Sequence, residues 1–419
     1  MNDIHRIFVE FKQLVGEGFW LKRVAALNAE MRGNKLLKEH IENEYAVVYG
    51  LAELSRIEKK YGRLPASFSS DDWWVLYPSI TLATQITSLA NQLDSQSSKK
   101  LIGRVRGALK NPDDMRGLQL EFIAATHFSL RGNSVSLPEI DGIGEGDVFV
   151  ADVGPQGLAI ECKSISSDKG RRIHTLDAIN FYNLVAGEIP ISFRNTFSIG
   201  VSAVVTIDGK MPNGFKDRKQ LAICVAQSIM NNKDAEVLDA TISIKNFDPL
   251  SADLNSPQSR QLARDGIDEI TGTNNRQAMV LGTMASGTVI CTIQSRSDDN
   301  LLTSIFDTLA DSAERQLSQD RAGMFIVGLN GITAESFADL ATRDQNSTEN
   351  VSALRASVSQ FLASERRDHI IGVNFISQGT MYFQDSGLVS GGATAYYFTK
   401  PESAFWDDDF KNLTASNID

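Results

Sequence analysis

A strand of buried character that ends in a charged pair constrains this chain of 419 residues more than any other feature. Residues 158–160 are Leu-Ala-Ile, and Glu161, Cys162 and Lys163 follow directly. Charged side chains at the end of such a strand are costly to bury unless a partner or a ligand compensates for the lost hydration. Because side chains alternate along a strand, Glu161 and Lys163 are predicted to face one side of the sheet and Cys162 the other.

A second strand and a helix precede this one. Asp147 begins a short apolar run, and residues 154–157 (Gly-Pro-Gln-Gly) are typical of a turn. A hairpin across that turn would place Asp147 on the same side of the sheet as Glu161. Residues 118–130 carry apolar side chains at helical spacing, with Glu121 beside the apolar stripe. The sequence thus predicts three carboxylates and one lysine on one helix and two strands.

These residue types suit a divalent metal and a phosphodiester. Mg²⁺ prefers one or two carboxylates, completed by waters and phosphate oxygens. A bound metal lowers the pKa of a water and offsets the charge that builds up on a phosphate. Asp147 and Glu161 are therefore candidate ligands for Mg²⁺ or Mn²⁺, and the carbonyl oxygen of Cys162 is a candidate third ligand. The Lys163 ammonium is a candidate group for holding the phosphate or placing the attacking water.

The order of these elements resembles that of the PD-(D/E)XK nuclease superfamily, which includes restriction endonucleases and Holliday-junction resolvases. The resemblance covers roughly residues 115–205, about a quarter of the chain. It implies four catalytic residues, namely Glu121, Asp147, Glu161 and Lys163. Asp147 and Glu161 correspond to the metal ligands and Lys163 to the catalytic lysine. Gly146 stands where the nominal motif has proline.

The resemblance also implies a restriction-endonuclease-like core of a helix, three strands, a helix and a last strand. We expect that second helix over 176–185 and the last strand over 197–206. In the superfamily this helix often carries groups that contact phosphate, so four residues before it are candidate nucleic-acid-binding residues: Lys169, Arg171, Arg172 and His174. A solvated loop at the start of a helix is the alternative interpretation of these four residues.

Apolar spacing beyond this core predicts three regions in an α/β protein. Residues 1–110 are expected to form an all-helical accessory region, which is a candidate surface for a second copy of the chain or for a partner protein. Residues 111–206 form the nuclease-like core in this interpretation. Residues 207–419 mix helical and strand patterns and are expected to form a mixed α/β region.

Charge is unevenly distributed along the chain. The net charge of −11 argues against a surface that is basic throughout. Residues 99–116 nevertheless hold six basic against two acidic side chains, and residues 163–172 hold four against one. Both clusters flank the predicted site, and phosphate contacts dominate the affinity of proteins for nucleic acid. The predicted partner is therefore a nucleic acid, with DNA favoured, that binds a local basic groove.

Several classes of protein are disfavoured. The sequence has no apolar run of transmembrane length and no signal-peptide pattern, and its three cysteines have neither zinc nor disulfide spacing. We therefore expect a cytoplasmic protein without a membrane partner. The sequence also lacks the glycine patterns of nucleotide-binding loops.

Three functions are compatible with this pattern. The first is a Mg²⁺-dependent endonuclease that hydrolyses DNA, for which the resemblance implies a role in restriction or in defence against foreign DNA. The second is a catalytically inactive nuclease-like module for nucleic-acid binding or assembly. The third is an unrelated α/β protein in which Glu161 and Lys163 form a surface ion pair. The presence of all the motif carboxylates and the lysine favours the first. The motif is compatible with duplex, single-stranded or branched DNA and with RNA.

Overall fold

The structure is a computed structural model that describes residues 4–65, 68–194, 199–237, 239–248, 260–273, 278–282, 288–332, 334–345, 351–383 and 389–414. Its helices are α1 (Ile4–Val15), α2 (Gly18–Gly33), α3 (Lys38–Glu44), α4 (Ala46–Tyr61), α5 (Ser70–Ala90), α6 (Ser95–Ala108), α7 (Pro112–Leu130), α8 (Pro138–Asp141), α9 (Thr175–Glu188), α10 (Ile191–Arg194), α11 (Phe215–Asn231), α12 (Arg260–Thr271), α13 (Leu301–Arg315), α14 (Ala334–Gln345), α15 (Ala353–Leu362) and α16 (Phe410–Thr414). Its strands are β1 (Val135–Ser136), β2 (Val148–Val150), β3 (Leu158–Ile165), β4 (Gly200–Ile207), β5 (Ala235–Val237), β6 (Ala240–Phe247), β7 (Ala278–Gly282), β8 (Thr288–Ser295), β9 (Ala322–Leu329), β10 (Ile370–Phe383) and β11 (Val389–Thr399). None of the helices in these described ranges has the length and apolar character needed to cross a bilayer.

The chain folds into two compact units, each built from separate stretches of sequence. Unit 1 comprises Met1–Ala26, Glu44–Lys169 and Leu301–Asp419, and unit 2 comprises Leu27–Asn43 and Gly170–Asn300. Most of unit 2 is therefore an insertion between β3 and α13 of unit 1. Residues 111–206, predicted as one nuclease-like core, contribute to both units.

The N-terminal region is helical, as its apolar spacing predicted. Phe8, Phe11 and Val15 of α1 are buried at helical spacing in the core of unit 1. The Trp20 ring stacks on Phe11 with ring centroids 5.7 Å apart, and its indole N–H donates to the Ser55 hydroxyl of α4 at 3.2 Å. These helices hold α6 against α7, the helix that carries Glu121.

Unit 1 is built around a six-stranded sheet with strand order β1-β2-β3-β9-β10-β11. Strand β3 pairs antiparallel with β2 and parallel with β9, and Glu161 lies in register with Phe325. The two faces of β3 enter different cores. Ile160 packs in the core that contains α7, whereas Ala159 packs in the core that contains α13 and α15. The sheet therefore lies between α7 on one side and α13 and α15 on the other.

The structure corrects the predicted end of the nuclease-like core. The helix expected over 176–185 is α9, and the strand expected over 197–206 is β4, which begins at Gly200; residues 195–198 lie outside the described ranges. Both belong to unit 2, where β4 pairs with β6 and β8. The strand beside β3 is instead β9, which follows α13. Parallel strands need a crossover connection, and an apolar strand pattern does not specify which sheet a strand joins. The assignment of the last helix and strand to 176–206 was therefore wrong.

Unit 2 has its own five-stranded sheet with strand order β5-β6-β4-β8-β7. Val201, Ala203 and Val205 of β4 are buried in its core with α9 and α11. The carbonyl oxygen of Gly170 accepts a hydrogen bond from the backbone N–H of Asn300 at 2.9 Å. The chain thus leaves unit 1 and returns to it through adjacent residues, which allows a large insertion without separating β3 from α13.

The role of α13 as a core helix predicts a stability difference. Leu309 is fully buried on α13, whereas Thr303 is exposed on the same helix. Leu309→Ala should lower the free energy of unfolding by about 2–5 kcal/mol, because the substitution leaves a cavity against the sheet. Thr303→Ala should change it by less than about 0.5 kcal/mol. Urea denaturation measures both, and equal effects would contradict the packing of α13.

Candidate active site

The candidate site lies beside the start of β2, where β3 continues beyond its pairing with that strand. The last antiparallel pair of β2 with β3 at this end joins Val148 and Ile160. Beyond it, the backbone N–H of Asp147 donates to the Ile160 carbonyl at 2.9 Å, and Oδ2 of Asp147 accepts from the backbone N–H of Cys162 at 2.8 Å. The Asp147 carboxylate thus replaces the missing strand neighbour of Cys162, since a buried N–H requires an acceptor. This contact fixes Asp147 against the edge of β3.

Gly146 explains a departure from the motif. Its φ is +76°, a left-handed conformation that a proline ring, with φ near about −65°, does not adopt. A Cβ atom at this position would lie 2.6 Å from the carbonyl oxygen of Ile160. Glycine therefore permits the close approach that brings Asp147 to β3, and proline would not.

Glu161 and Lys163 share one face of β3, as strand alternation predicted. The Lys163 ammonium donates to Oε1 of Glu161 at 2.6 Å and to Oε1 of Gln316 at 2.7 Å. The side chain of Glu161 is 3% exposed and that of Lys163 is 19% exposed. The pair is therefore a buried carboxylate with a partly accessible ammonium, and it does not have the geometry of a solvated surface ion pair.

The pKa values of both Asp147 and Glu161 are raised. The pKa of Glu161 is raised to about 7, chiefly by burial and then by the negative charge of Asp147, against the opposing effect of Lys163. Burial also raises the pKa of Asp147, which the N–H of Cys162 and the charge of Lys163 counteract. A buried carboxylate and a half-buried one with incomplete positive compensation are a donor set that a divalent cation would stabilise.

Glu121 is held by a residue that the sequence interpretation missed. Its carboxylate is 6% exposed, and both oxygens accept from the Arg104 guanidinium at 2.8 Å each. The same guanidinium lies 3.0 Å from Oε2 of Glu139. The pKa of Glu121 is still raised to about 7, chiefly by burial, against the hydrogen bonds from Arg104 and with a further rise from the charge of Asp147. Arg104 was counted only within the basic cluster of residues 99–116.

The residues present fit a divalent metal at the edge of β3. Asp147 and Glu161 supply carboxylates. The backbone N–H of Cys162 donates to Asp147, and the carbonyl of Cys162 points to the same edge of the strand as this N–H. The Cys162 side chain faces the opposite core, where burial raises the pKa of the thiol well above its ordinary value. Among the described residues, no group of three or more His, Cys, Asp or Glu side chains forms a metal cluster. A metal here would thus have two side-chain ligands, the Cys162 carbonyl, and water or phosphate oxygens.

The four basic residues predicted to contact nucleic acid are divided between the units: Lys169 ends unit 1, and Arg171, Arg172 and His174 belong to unit 2. The guanidinium of Arg172 donates to the Asp298 carbonyl at 3.0 Å, and its backbone N–H donates to Asp299 at 2.9 Å. Arg171 lies 3.6 Å from the Asp299 carboxylate. These contacts join the two ends of the inserted chain. Phosphate binding by these four residues stays a prediction.

Gln316 is a second residue that the sequence interpretation missed. It follows α13 and lies 153 positions after Lys163. Its side-chain oxygen accepts a hydrogen bond from the Lys163 ammonium. No local pattern signals such a pairing, because it depends on α13 packing beside β3. Its amide oxygen gives the Lys163 ammonium a second fixed partner besides Glu161.

Comparison with known proteins identifies no relative. No protein-family model matches this chain, and no curated protein and no solved structure matches it. The resemblance to the PD-(D/E)XK nucleases therefore rests on the sequence motif alone and stays a prediction.

The close approach at Gly146 predicts an effect on metal affinity. Gly146→Ala should weaken the binding of Mn²⁺ by about tenfold or more, because the new Cβ atom displaces Asp147 from β3. Gly142 also has a positive φ, +77°, but a Cβ atom there would meet nothing within 4 Å. Gly142→Ala therefore controls for backbone strain alone. Equal affinities of the two variants, measured by calorimetry, would contradict this account.

The raised pKa of Glu161 predicts how stability depends on pH. The ordinary pKa of a glutamate is 4.5, and that of Glu161 in the folded protein is about 7, so the folded state binds the proton more tightly. The resulting stabilisation is complete below pH 4.5 and is lost as the pH rises through about 7. The metal-free protein should therefore lose about 1–3 kcal/mol more than Glu161→Gln between pH 4.5 and pH 7.5.

Chemical denaturation in EDTA at the two pH values measures this difference. Glu402→Gln, which changes an exposed glutamate, should retain the pH dependence of the unchanged protein. An identical pH dependence of the Glu161→Gln variant and the unchanged protein would show that Glu161 titrates normally.

Proposed function

We propose that this protein is a metal-dependent nuclease that hydrolyses phosphodiester bonds in DNA. The observation that carries the proposal is that Asp147 bonds to the backbone of β3 at Cys162, between Glu161 and Lys163, in the middle of this strand. Asp147 reaches β3 through its own side chain, and Lys163 lies 2.6 Å from Glu161. Burying this set costs folding free energy, which indicates that its purpose is chemical.

The order of elements in unit 1 supports the proposal. Helix α7 is followed by β1, the one-turn helix α8, β2 and β3, and after the insertion by α13 and β9. This is the sequence of one helix, three strands, a helix and a strand that the resemblance implies, with its last two elements supplied by residues 301–329. Strand β9 runs parallel to β3, so α13 is the crossover helix between them.

Each residue has a distinct role in the proposed reaction. Asp147, Glu161 and the carbonyl of Cys162 would hold Mg²⁺ or Mn²⁺. When bound, such a metal lowers the pKa of a water and offsets negative charge on the phosphate. Lys163 keeps an ammonium, oriented by Glu161 and Gln316, beside this edge to bind the phosphate or to place the attacking water. Glu121, on α7, is the third member of the acidic cluster formed by Glu121, Asp147 and Glu161.

The basic helix α6 supports a nucleic acid as the substrate. It carries Arg104, which contacts Glu121, and the side chains of Lys99 and Lys100 are exposed on the same helix. Such cationic side chains on the helix that contacts Glu121 would supply the phosphate contacts on which affinity for DNA depends. A role in restriction or defence against foreign DNA is part of the proposal and rests on the resemblance.

Cleavage assays test this function. The purified chain should cut supercoiled plasmid, linear duplex or single-stranded DNA in Mg²⁺ or Mn²⁺, and EDTA should abolish cleavage. Glu161→Gln and Lys163→Met should each lower the cleavage rate by about a hundredfold or more, because each removes a group that stabilises charge in the transition state.

Matched controls are available within unit 1. Glu314→Gln and Lys59→Met change exposed residues of α13 and α4 and should retain the original rate. Cleavage that persists in both Glu161→Gln and Lys163→Met would refute the proposed site. Binding of DNA and metal without cleavage would instead favour a catalytically inactive nucleic-acid-binding module.

A further inference from the structure

Both oxygens of the Glu121 carboxylate are already occupied. The two terminal nitrogens of Arg104 donate to them in parallel at 2.8 Å, which is the bidentate geometry of a strong ion pair. The carboxylate is 6% exposed. A carboxylate whose two oxygens both accept from a half-buried guanidinium is a weaker ligand for a metal ion than one with a free oxygen.

Arg104 also acts on the rest of the acidic cluster. Its guanidinium lies 3.0 Å from Glu139, and its positive charge counteracts the rise in the pKa of Asp147. Asp147 and Glu161, by contrast, are close enough that the charge of Asp147 raises the pKa of Glu161. Positive charge thus comes from Arg104 on the α7 side and from Lys163 on the α13 side, with Asp147 and Glu161 between them.

We propose that Arg104 is a positioning residue that occupies Glu121 and thereby restricts the acidic cluster to a single divalent cation, held by Asp147 and Glu161. This inference rests on the proposed metal-dependent nuclease function. Arg104 thus occupies the carboxylate that a second cation would need. Glu121 then orients Arg104 and is not itself a metal ligand.

Arginine suits this role better than lysine would. The guanidinium is planar, stays charged at every physiological pH and presents two parallel donors to one carboxylate. A lysine ammonium is a point charge that leaves one carboxylate oxygen available. Without Arg104, Glu121 would lie buried beside Asp147 with no cationic partner, so its carboxyl would either take up a proton or bind another cation.

Counting bound Mn²⁺ ions tests the inference without relying on activity. The EDTA-treated protein is titrated with Mn²⁺ by calorimetry, and free Mn²⁺ is followed by electron paramagnetic resonance. The unchanged protein should bind one ion. Glu121→Gln should also bind one ion with an affinity within about threefold, whereas Asp147→Asn should lose about tenfold or more, as expected for a metal ligand. Glu139, which lies 3.0 Å from Arg104 in the unchanged protein, is left in place by this substitution.

Removing the guanidinium should open a second site. Arg104→Met should bind two Mn²⁺ ions, and the double variant Arg104→Met/Glu121→Gln should return to one. Arg116→Met is the matched control, because Arg116 is a part-buried arginine of the same unit that pairs with Glu44 at 2.7 Å. The control variant should bind one ion.

The outcomes separate the inference from the function on which it rests. Two ions in the unchanged protein, a tenfold loss in Glu121→Gln, or one ion in Arg104→Met would each overturn the role of Arg104 while leaving a metal site at Asp147. No ion in the unchanged protein would overturn the proposed metal-dependent function as well. If Arg104→Met does not fold, the comparison of Glu121→Gln with Asp147→Asn decides the question.

Discussion

The placement of the buried carboxylate of Glu161 and the half-buried one of Asp147 beside the start of β2 is the constraint on which the rest of unit 1 depends. The Asp147 carboxylate satisfies the N–H of Cys162 at the exposed strand edge, and Glu161 enters the protein on the α13 face of the same strand. Neither group is stable there without a sheet that fixes β3 and helices that cover both of its faces. The parallel pairing of β3 with β9 provides the first requirement, and α7 and α13 provide the second.

Charge compensation at this edge comes from both sides of the sheet. Arg104 reaches Glu121 from the helical region, and Lys163 reaches Glu161 from β3 itself. The compensation is incomplete, because the pKa values of Glu121 and Glu161 are both raised to about 7. Near pH 7 the carboxyl groups of Glu121 and Glu161 are therefore partly protonated. Binding of a cation would be coupled to the release of these protons.

The insertion of unit 2 shows how the core of unit 1 accommodates a long inserted segment between two of its elements. The entropic cost of closing a loop grows only slowly with its length, so a folded insertion adds little cost when its ends are adjacent. The hydrogen bond between Gly170 and Asn300 keeps these ends together, and Arg172 reinforces them through Asp298 and Asp299. Residues 171 and 172, predicted from sequence as phosphate contacts, have this structural function in the described chain.

Local patterns in the sequence determined the helical N-terminal region, the shared face of Glu161 and Lys163, and the approach of Asp147 to β3. Each of these follows from helical spacing, strand alternation or a short turn, which act over a few residues. Only the tertiary structure decided that β9 lies beside β3, that β4 belongs to another sheet, and that Arg104 and Gln316 hold the site residues. Those pairings join distant parts of the chain. The local sequence of an apolar strand or a basic helix does not specify its partner, because the free energy of pairing comes from burial that exists only after both elements have packed.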